Sequence, residues 1–563
     1  MGDNGQPKLY PSAAVIIISS ASLLIWSYVS EYRLIGTIIP LLDDTFIHLR
    51  FAWNLAHGAG FAFNPGRPLP GSTSPLWVLI LSPAAWADKQ FLVNASLMMS
   101  SLSYVAVGLL TWLLALRIGF SRGLALLAAM LVVMNGRLLW AGATGMETDF
   151  FAALSLAAVM VLIREEEKGA MTWRSGALFG LATLARPEGY LLFTIALGHY
   201  VLSRIHQTKK IRLDELVRTA PASAIAAFMI VVSPYIIFAL VTVHHPFPTT
   251  YLAKRPEFGR YHQEYMYWTV RYLWLDNPAA ALCFVAAVVM AGLRTARQGL
   301  GFIASGAGLT ALWAVGYYIV SAIVTPMPYH FCRYQIPVLP FVLLTATLAI
   351  ADLFGRLEKR IVSGQEEAAG DGGPPARASL LTPLLQFRLL AAGLVLIIFI
   401  PGALNVARWA AARQPFSHYN FEGVIPICAK NIKDMHLTVA DWLQRGTPPQ
   451  SVIATMDIGA FGFYTERQII DIVGLVTPEV IPLIAAKGIT RERSRNLFQF
   501  LSRTRPDYAV LFPDWYPGLA EPGEIFRPVF EVSLNDPVIV GSRRMVVYQC
   551  RWPRENEKPI NMQ

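Results

Sequence analysis

Charged residues are scarce in this chain. Of 563 residues only 15% are Asp, Glu, Lys or Arg, and 54% are hydrophobic, whereas a soluble domain carries about 25% charge. That shortage excludes an ordinary soluble enzyme. Cysteine is scarcer still. Cys283, Cys332, Cys428 and Cys550 form no CxxC pair, which argues against a structural zinc site. No internal repeat of the kind many transporters show is visible. The net charge is +10, but lysine and arginine sit in short loops between apolar runs. There they orient membrane helices, so no nucleic-acid partner is expected.

What is present is a series of apolar runs, each near the roughly 20 residues a bilayer requires. They read as spans at 13–30, 91–116, 123–140, 149–163, 175–204, 220–243, 275–293, 300–323, 335–352 and 387–408. The first run has a mostly polar leader and no A-x-A cleavage site, so it is expected to be a retained helix. The basic loops "RIGFSR", "REEEKGAMTWR", "RIHQTKKIRLDELVR", "RTAR" and "RLEKR" are cytoplasmic by the positive-inside rule. A single span over 175–204 would invert every later loop. That run is therefore expected to be a hairpin broken at "LARPEGY", where Pro187 removes a helix donor and Gly189 relaxes the backbone. The count becomes about eleven membrane helices, with Arg186 and Glu188 at the outer tip of the hairpin. The linker 363–379 reads as a disordered cytoplasmic loop.

The remainder is a different kind of chain. "SVIAT", "QIIDIVG", "DYAVLF" and "RMVVYQC" read as short strands, and "MHLTVADWLQR" and "RERSRNLFQFL" as helices. The expected fold class is a polytopic α-helical membrane protein, residues 1–408, followed by an extracytoplasmic α/β domain, residues 409–563. A disulfide between Cys428 and Cys550 would be permitted in that compartment.

The stretch "IIPLLDDTFIHLRFAWNLAHGAG" places two adjacent aspartates, Asp43 and Asp44, just beyond the first apolar run. Phe46, Leu49, Trp53 and Ala56 recur at helical spacing, and Asp43, Arg50, Asn54 and His57 form a second, polar stripe. This pattern predicts a helix lying on the membrane surface with its apolar side down. One helix cap needs one aspartate. A second carboxylate beside it, at the bilayer edge, resists desolvation and points to chemistry. One of the pair can act as general base towards a hydroxyl, while the other orients the acceptor or binds a divalent metal. Two carboxylates without a third ligand do not define a metal site, so no residue is assigned to one.

A departing phosphate needs cations around it. The outer loops offer Arg186, Lys254, Arg255, His330 and Arg333; Lys254 and Arg333 could instead snorkel to the interface. His244, His245 and His262 read as surface histidines. "GMETDFF" offers Glu147 to the site and Thr148 as a helix cap. The candidate set is Asp43 and Asp44 for catalysis, and Arg186, Arg333, Lys254 and His330 for the phosphate. Arg50, Glu147, Glu188 and Tyr334 are candidates to bind the rest of the substrate.

Taken in order, "DD", "GAGFAFNPG", "GSTSPLW", "GMETDFF", "LARPEG", "PFPTTYLAK", "RYQIPVLP" and "VIATMDIGAFGFYTERQIIDIVGL" resemble the GT-C membrane glycosyltransferases, most nearly the mycobacterial terminal arabinofuranosyltransferase family. The resemblance covers nearly the whole chain. It implies a polyprenyl-phosphate-linked sugar as donor, arabinofuranose by the nearest likeness, and a glycan acceptor on the extracytoplasmic side of a bacterial inner membrane. Another sugar such as mannose, or a protein acceptor, are alternatives within the class. It also implies that an aspartate of the first outer loop, Asp43 or Asp44 here, is the base. The C-terminal domain would help bind the acceptor, with "GAFGFY" and "FPDWYPG" as sugar-stacking surfaces or as core. The rival reading is a polyprenyl-lipid transporter or lipid-handling protein.

Overall fold

The computed structural model describes residues 10–208, 221–254, 262–369, 377–411, 423–484, 489–520 and 525–553. Helices come first: α1 (Tyr10–Ile35), α2 (Asp43–Ala56), α3 (Pro75–Leu81), α4 (Lys89–Arg117), α5 (Arg122–Val133), α6 (Gly136–Ala143), α7 (Thr148–Glu166), α8 (Trp173–Ala185) and α9 (Gly189–Thr208). They continue with α10 (Ala222–Val243), α11 (Thr249–Lys254), α12 (His262–Asp276), α13 (Pro278–Gln298), α14 (Gly306–Val324), α15 (Leu339–Ala369) and α16 (Arg377–Ala410). Among the described residues seven helices are long and apolar enough to cross a membrane: α1, α4, α10, α13, α14, α15 and α16. The pair α5–α6 makes an eighth if it is one span. Of the eleven or so expected, α7, α8 and α9 fall outside that set. α8 has 13 residues, and α7 and α9 carry polar residues towards their C-terminal ends.

Local sequence explains the breaks. The run read as one span over 123–140 bends by 60° between α5 and α6. Asn135 caps α6 by accepting from the backbone N–H of Arg137 and Leu138 at 3.1 Å each. A side chain at Gly136 would lie 2.2 Å from the Trp409 ring, so only glycine lets α16 approach there. The bend carries Arg137 inward, where its Nη2 pairs with Asp276 at 2.6 Å. The 175–204 run is two helices, as the loop charges require. Its break holds Arg186, and a Cβ at Gly189 would lie 2.5 Å from the Thr183 backbone. The linker read as disordered is helical up to Ala369 and again from Arg377; residues 370–376 lie outside the described ones.

The C-terminal part packs a mixed five-stranded sheet, ordered β2-β1-β3-β5-β4, with α17 (Val424–Asn431), α18 (Thr438–Gly446), α19 (Gly459–Thr465) and α20 (Arg491–Thr504). β1 (Val452–Thr455), β2 (Gln468–Asp471) and β3 (Tyr508–Leu511) run parallel, and β5 (Arg544–Cys550) is antiparallel to β3. β4 (Phe526–Ser533) escapes the sequence reading because Pro528 interrupts its pattern. It is an edge strand whose register shifts at Pro528, the place where a sheet tolerates proline. Cys428 and Cys550 are both free thiols, one buried in α17 and the other on β5, so the permitted disulfide is not made.

This sheet domain sits on α2. The expectation that α2 lies greasy side down on the membrane is overturned, because its apolar stripe is covered by α19. Phe46 is 0% exposed, and its ring meets Phe463 at 5.9 Å and Tyr464 at 5.4 Å. "GAFGFY" is thus a protein–protein seam rather than a sugar platform. "FPDWYPG" also turns inward: Phe512 and Tyr516 are buried, and the Trp515 indole donates to the Gly541 carbonyl at 3.1 Å. Asn64, from "GFAFNPG", exchanges two hydrogen bonds with the Ile469 backbone of edge strand β2, at 2.8 and 3.0 Å. At the tightest point a Cβ on Gly459 would lie 1.9 Å from the Asp43 carbonyl oxygen. Gly459→Ala must therefore push the two parts apart. We expect a loss of about 1–3 kcal/mol, as for overpacked cores, read as a lower melting temperature in detergent and faster proteolysis between the two parts.

Candidate active site

Asp43 and Asp44 open α2, and neither caps it. The cap position is Leu42, which has no side chain to accept a bond. Asp43 caps a different helix instead. Its two carboxylate oxygens accept from the backbone N–H of Gly459 and Ala460, at 2.8 Å each, at the start of α19. Asp44 points elsewhere, into a cavity of about 290 Å³ that Asp43 does not line. The pair therefore does not act as one chelating unit. Among the described residues no group of three or more His, Cys, Asp or Glu side chains could hold a metal ion.

The cavity gathers residues from segments far apart in the chain. Asp44 and His48 come from α2, Glu147 from the start of α7, Arg186 and Glu188 from the hairpin break, Lys254 from α11, and Arg333 and Tyr334 from the turn before α15. Tyr334 is the hub. Arg333, Arg186 and Lys254 lie 5.2, 5.3 and 5.5 Å from its ring centroid, an arrangement the ring quadrupole favours. Lys254 Nζ also donates to its hydroxyl at 2.8 Å. Arg333 pairs with Asp44. Arg186 pairs with Glu147 at 2.9 Å and Glu188 at 2.8 Å. Three cations that would repel one another in an apolar setting are thus held by three carboxylates and one aromatic ring.

Two predicted residues are placed differently. Arg50 lies outside the cavity lining. Its Nε donates to the Phe63 carbonyl at 3.1 Å, beside Asn54, which donates to the Ala62 and Phe63 carbonyls at 2.9 and 2.7 Å. The polar stripe of α2 is therefore a clamp on the loop that follows. His330 does not line the cavity. It opens a run of three left-handed residues, His330, Phe331 and Cys332, with φ of 50°, 60° and 52°. Non-glycine residues rarely adopt this conformation, and it clusters at functional sites. Thr148 is not a cap either: Glu147 holds that position, with its carboxylate turned to Arg186 and not to the helix. His244 and His245 also lie off the cavity, and Arg255 is outside the described residues.

Sequence reasoning missed His48, four residues along α2 from Asp44 and so on the same face. Its Nδ1 meets Ser72 Oγ at 2.9 Å and its Nε2 faces Glu147 at 3.4 Å. Ser72 Oγ already accepts from the Ser74 N–H at 3.2 Å. Burial holds this imidazole below its usual range, against the pull of Glu147 and Asp44. The i, i+4 spacing with Asp44 was the signal available. Tyr317 was also missed: its hydroxyl donates to the Tyr334 carbonyl, and only the fold brings α14 there.

The charged end of the cavity continues into an apolar one lined by Leu191, Val320, Val324 and Phe247. Val324 and Phe247 are 40% and 41% exposed, so the apolar lining reaches the protein surface beside the C-terminal ends of α14 and α10. The C-terminal part contributes Leu475 to the wall. The Leu475 carbonyl accepts from Thr249 Oγ1 at 2.5 Å, and its turn is wrapped around the Asp471 carboxylate, which accepts from Val473 and Val476 N–H at 2.8 and 2.9 Å.

This architecture has known counterparts. ArnT from Cupriavidus metallidurans, solved bound to undecaprenyl phosphate, superposes with a TM-score of 0.54 at 11% identity, over 95% of this chain and 98% of ArnT. Its apo form gives 0.54 at 12% identity over 96% and 98%. The Archaeoglobus fulgidus oligosaccharyltransferase, tethered to an acceptor peptide, gives 0.56 at 12% identity over 96% of this chain and 76% of the enzyme. The chain has the GT-C fold of these proteins. Residues 430–548 match a family described as a domain of unknown function, DUF8728. No curated protein matches in sequence.

The two aspartates differ in proton affinity. Burial pushes the Asp43 carboxyl up to about 6, with His436 opposing and Asp457 adding to the rise. His436, which pairs with Asp457 at 2.8 Å, is raised: burial opposes this, but Asp457 and Asp43 outweigh it. Burial would raise Asp44 too, but Arg333 and Lys254 overcome it and hold that carboxyl below the usual range. A raised carboxyl binds its proton more tightly in the folded state, so its stabilising effect is lost as pH rises through its folded value. A raised histidine acts with the same sign. Stability is therefore expected to fall as pH rises from about 4, the unfolded aspartate value, through about 6. Asp43→Asn should lessen that slope in melting curves across pH, leaving the share of Asp471, whose buried carboxyl is also pushed up to about 6, and Asp44→Asn should leave it in place.

Proposed function

We propose that this protein is a membrane glycosyltransferase that moves a sugar from a polyprenyl-phosphate donor to an acceptor hydroxyl, with Asp44 as general base. One observation carries the reading. Arg186, Lys254 and Arg333 surround one tyrosine beside a carboxylate, in a cavity whose apolar lining reaches the protein surface. An amphiphile with an anionic head and a prenyl tail fits such a cavity by charge at one end and by greasy surface at the other. The fold shared with ArnT is consistent with it.

In the reaction, the acceptor O–H gives its proton to the Asp44 carboxylate while its oxygen bonds to the anomeric carbon. The bond from that carbon to the phosphate oxygen breaks, and its electron pair leaves on the phosphate. The departing polyprenyl phosphate gains negative charge, which the three cations meet. Stabilising charge that develops only in the transition state is what accelerates the step. A single displacement inverts the anomeric centre. Arabinofuranose is the sugar by the resemblance of the sequence motifs, and the acceptor is a glycan on the extracytoplasmic face. Asp43, engaged as the cap of α19, holds the C-terminal part in place.

The test is a transfer assay on purified protein with synthetic polyprenyl-phosphate arabinofuranose, mannose and aminoarabinose. Asp44→Asn is expected to lower turnover by about 10²–10⁴, the usual worth of a general base. Asp43→Asn should retain more activity than Asp44→Asn. A wild type that binds the donors without turnover would favour a lipid-handling protein instead.

A further inference from the structure

In the free protein the base is masked. Asp44 is tied to Arg333, and no other carboxylate is paired with that guanidinium among the described residues. The formal charges of the cavity wall cancel: Arg186, Lys254 and Arg333 face Asp44, Glu147 and Glu188. The three cations are not equally free. Arg186 is held by two carboxylates, at 2.9 and 2.8 Å. Lys254 donates to a tyrosine hydroxyl at 2.8 Å. Arg333 has one carboxylate partner, whose side chain keeps 30% exposure. An entering phosphate can take Lys254 directly, but it gains Arg333 only in competition with Asp44.

We propose that the donor's phosphate takes Arg333 from Asp44, and that this exchange unmasks the base only when donor is bound. The inference rests on reading the cavity as the donor site. Its chemistry follows from the opposing influences on Asp44. Burial raises its proton affinity, and the neighbouring cations lower it. Once Arg333 and Lys254 turn to the phosphate, the carboxylate loses the cations that hold its proton affinity down and is free to accept a hydroxyl proton. No acceptor is then activated in the absence of donor. The turn that carries Arg333 suits such a movement. Three consecutive left-handed residues precede it, so a less strained backbone is within reach of a local change.

The experiment measures binding of a short-chain polyprenyl phosphate, which carries no sugar and cannot turn over, to the full chain in neutral-lipid nanodiscs by calorimetry. Asp44→Asn frees Arg333 and should tighten binding on the order of tenfold, a typical coupling between competing interactions. In an Arg333→Gln background the gain from Asp44→Asn should vanish, because there is no guanidinium left to release. Should Arg333→Gln melt as an unfolded protein, Arg333→Met serves as the background. An unchanged affinity in Asp44→Asn overturns the masking. So does an equal gain with and without Arg333, which would be a general field effect. If wild type and Asp44→Asn both melt as folded proteins yet neither binds polyprenyl phosphate, the donor-site reading itself fails, and the masking with it.

Discussion

Neighbouring residues on an α-helix point about 100° apart, and the site depends on this at its first turn. Asp43 and Asp44 open α2 side by side, yet one reaches into the sheet domain and the other into the cavity. A single helix end thus fixes the position of the sheet domain and of a cavity carboxylate together. Two adjacent like charges at a bilayer edge would be costly if they shared one environment. Splitting them gives each its own compensation, backbone N–H groups for Asp43 and a guanidinium for Asp44.

The same economy of charge governs the cavity. A buried ion left without its partner costs about 3–5 kcal/mol, so six ionised side chains at one place must nearly balance. They do so in layers. Glu147 and Glu188 hold Arg186, Asp44 holds Arg333, and Tyr334 offers its ring to all three cations and its hydroxyl to Lys254. His48, bonded to Ser72, lies beside Glu147. The balance leaves the groups positioned without an excess of charge. Binding an anion therefore has to proceed by exchange of partners.

The sheet domain is part of the wall. Leu475 lines the cavity, and its turn is built on the buried Asp471 carboxylate. Asn64 ties the loop after α2 to edge strand β2, while Phe46 packs under α19. Displacement of this domain would remove one side of the cavity and the cap on Asp43 together. The domain thus shapes one wall of the cavity, and the aromatic residues of "GAFGFY" serve the seam.

Local patterns were sufficient for the membrane class, for the hairpin at Pro187 and for most of the C-terminal strands. Apolar length, loop charge and alternation are properties of contiguous residues, and they survive without knowledge of neighbours. The paired aspartates and the cations near 186, 254 and 333 were also visible, since charge beside an apolar run is conspicuous. Only the tertiary structure decided what each charge does. Arg50 and Asp44 are both charged residues of α2, but one clamps a loop and the other meets Arg333, 289 residues away. His48 offered only its i, i+4 spacing from Asp44, and Tyr317 no local sign at all, because their partners Ser72 and Tyr334 lie in other segments. Partnership across the fold is set by packing, and packing joins residues that sequence distance keeps apart.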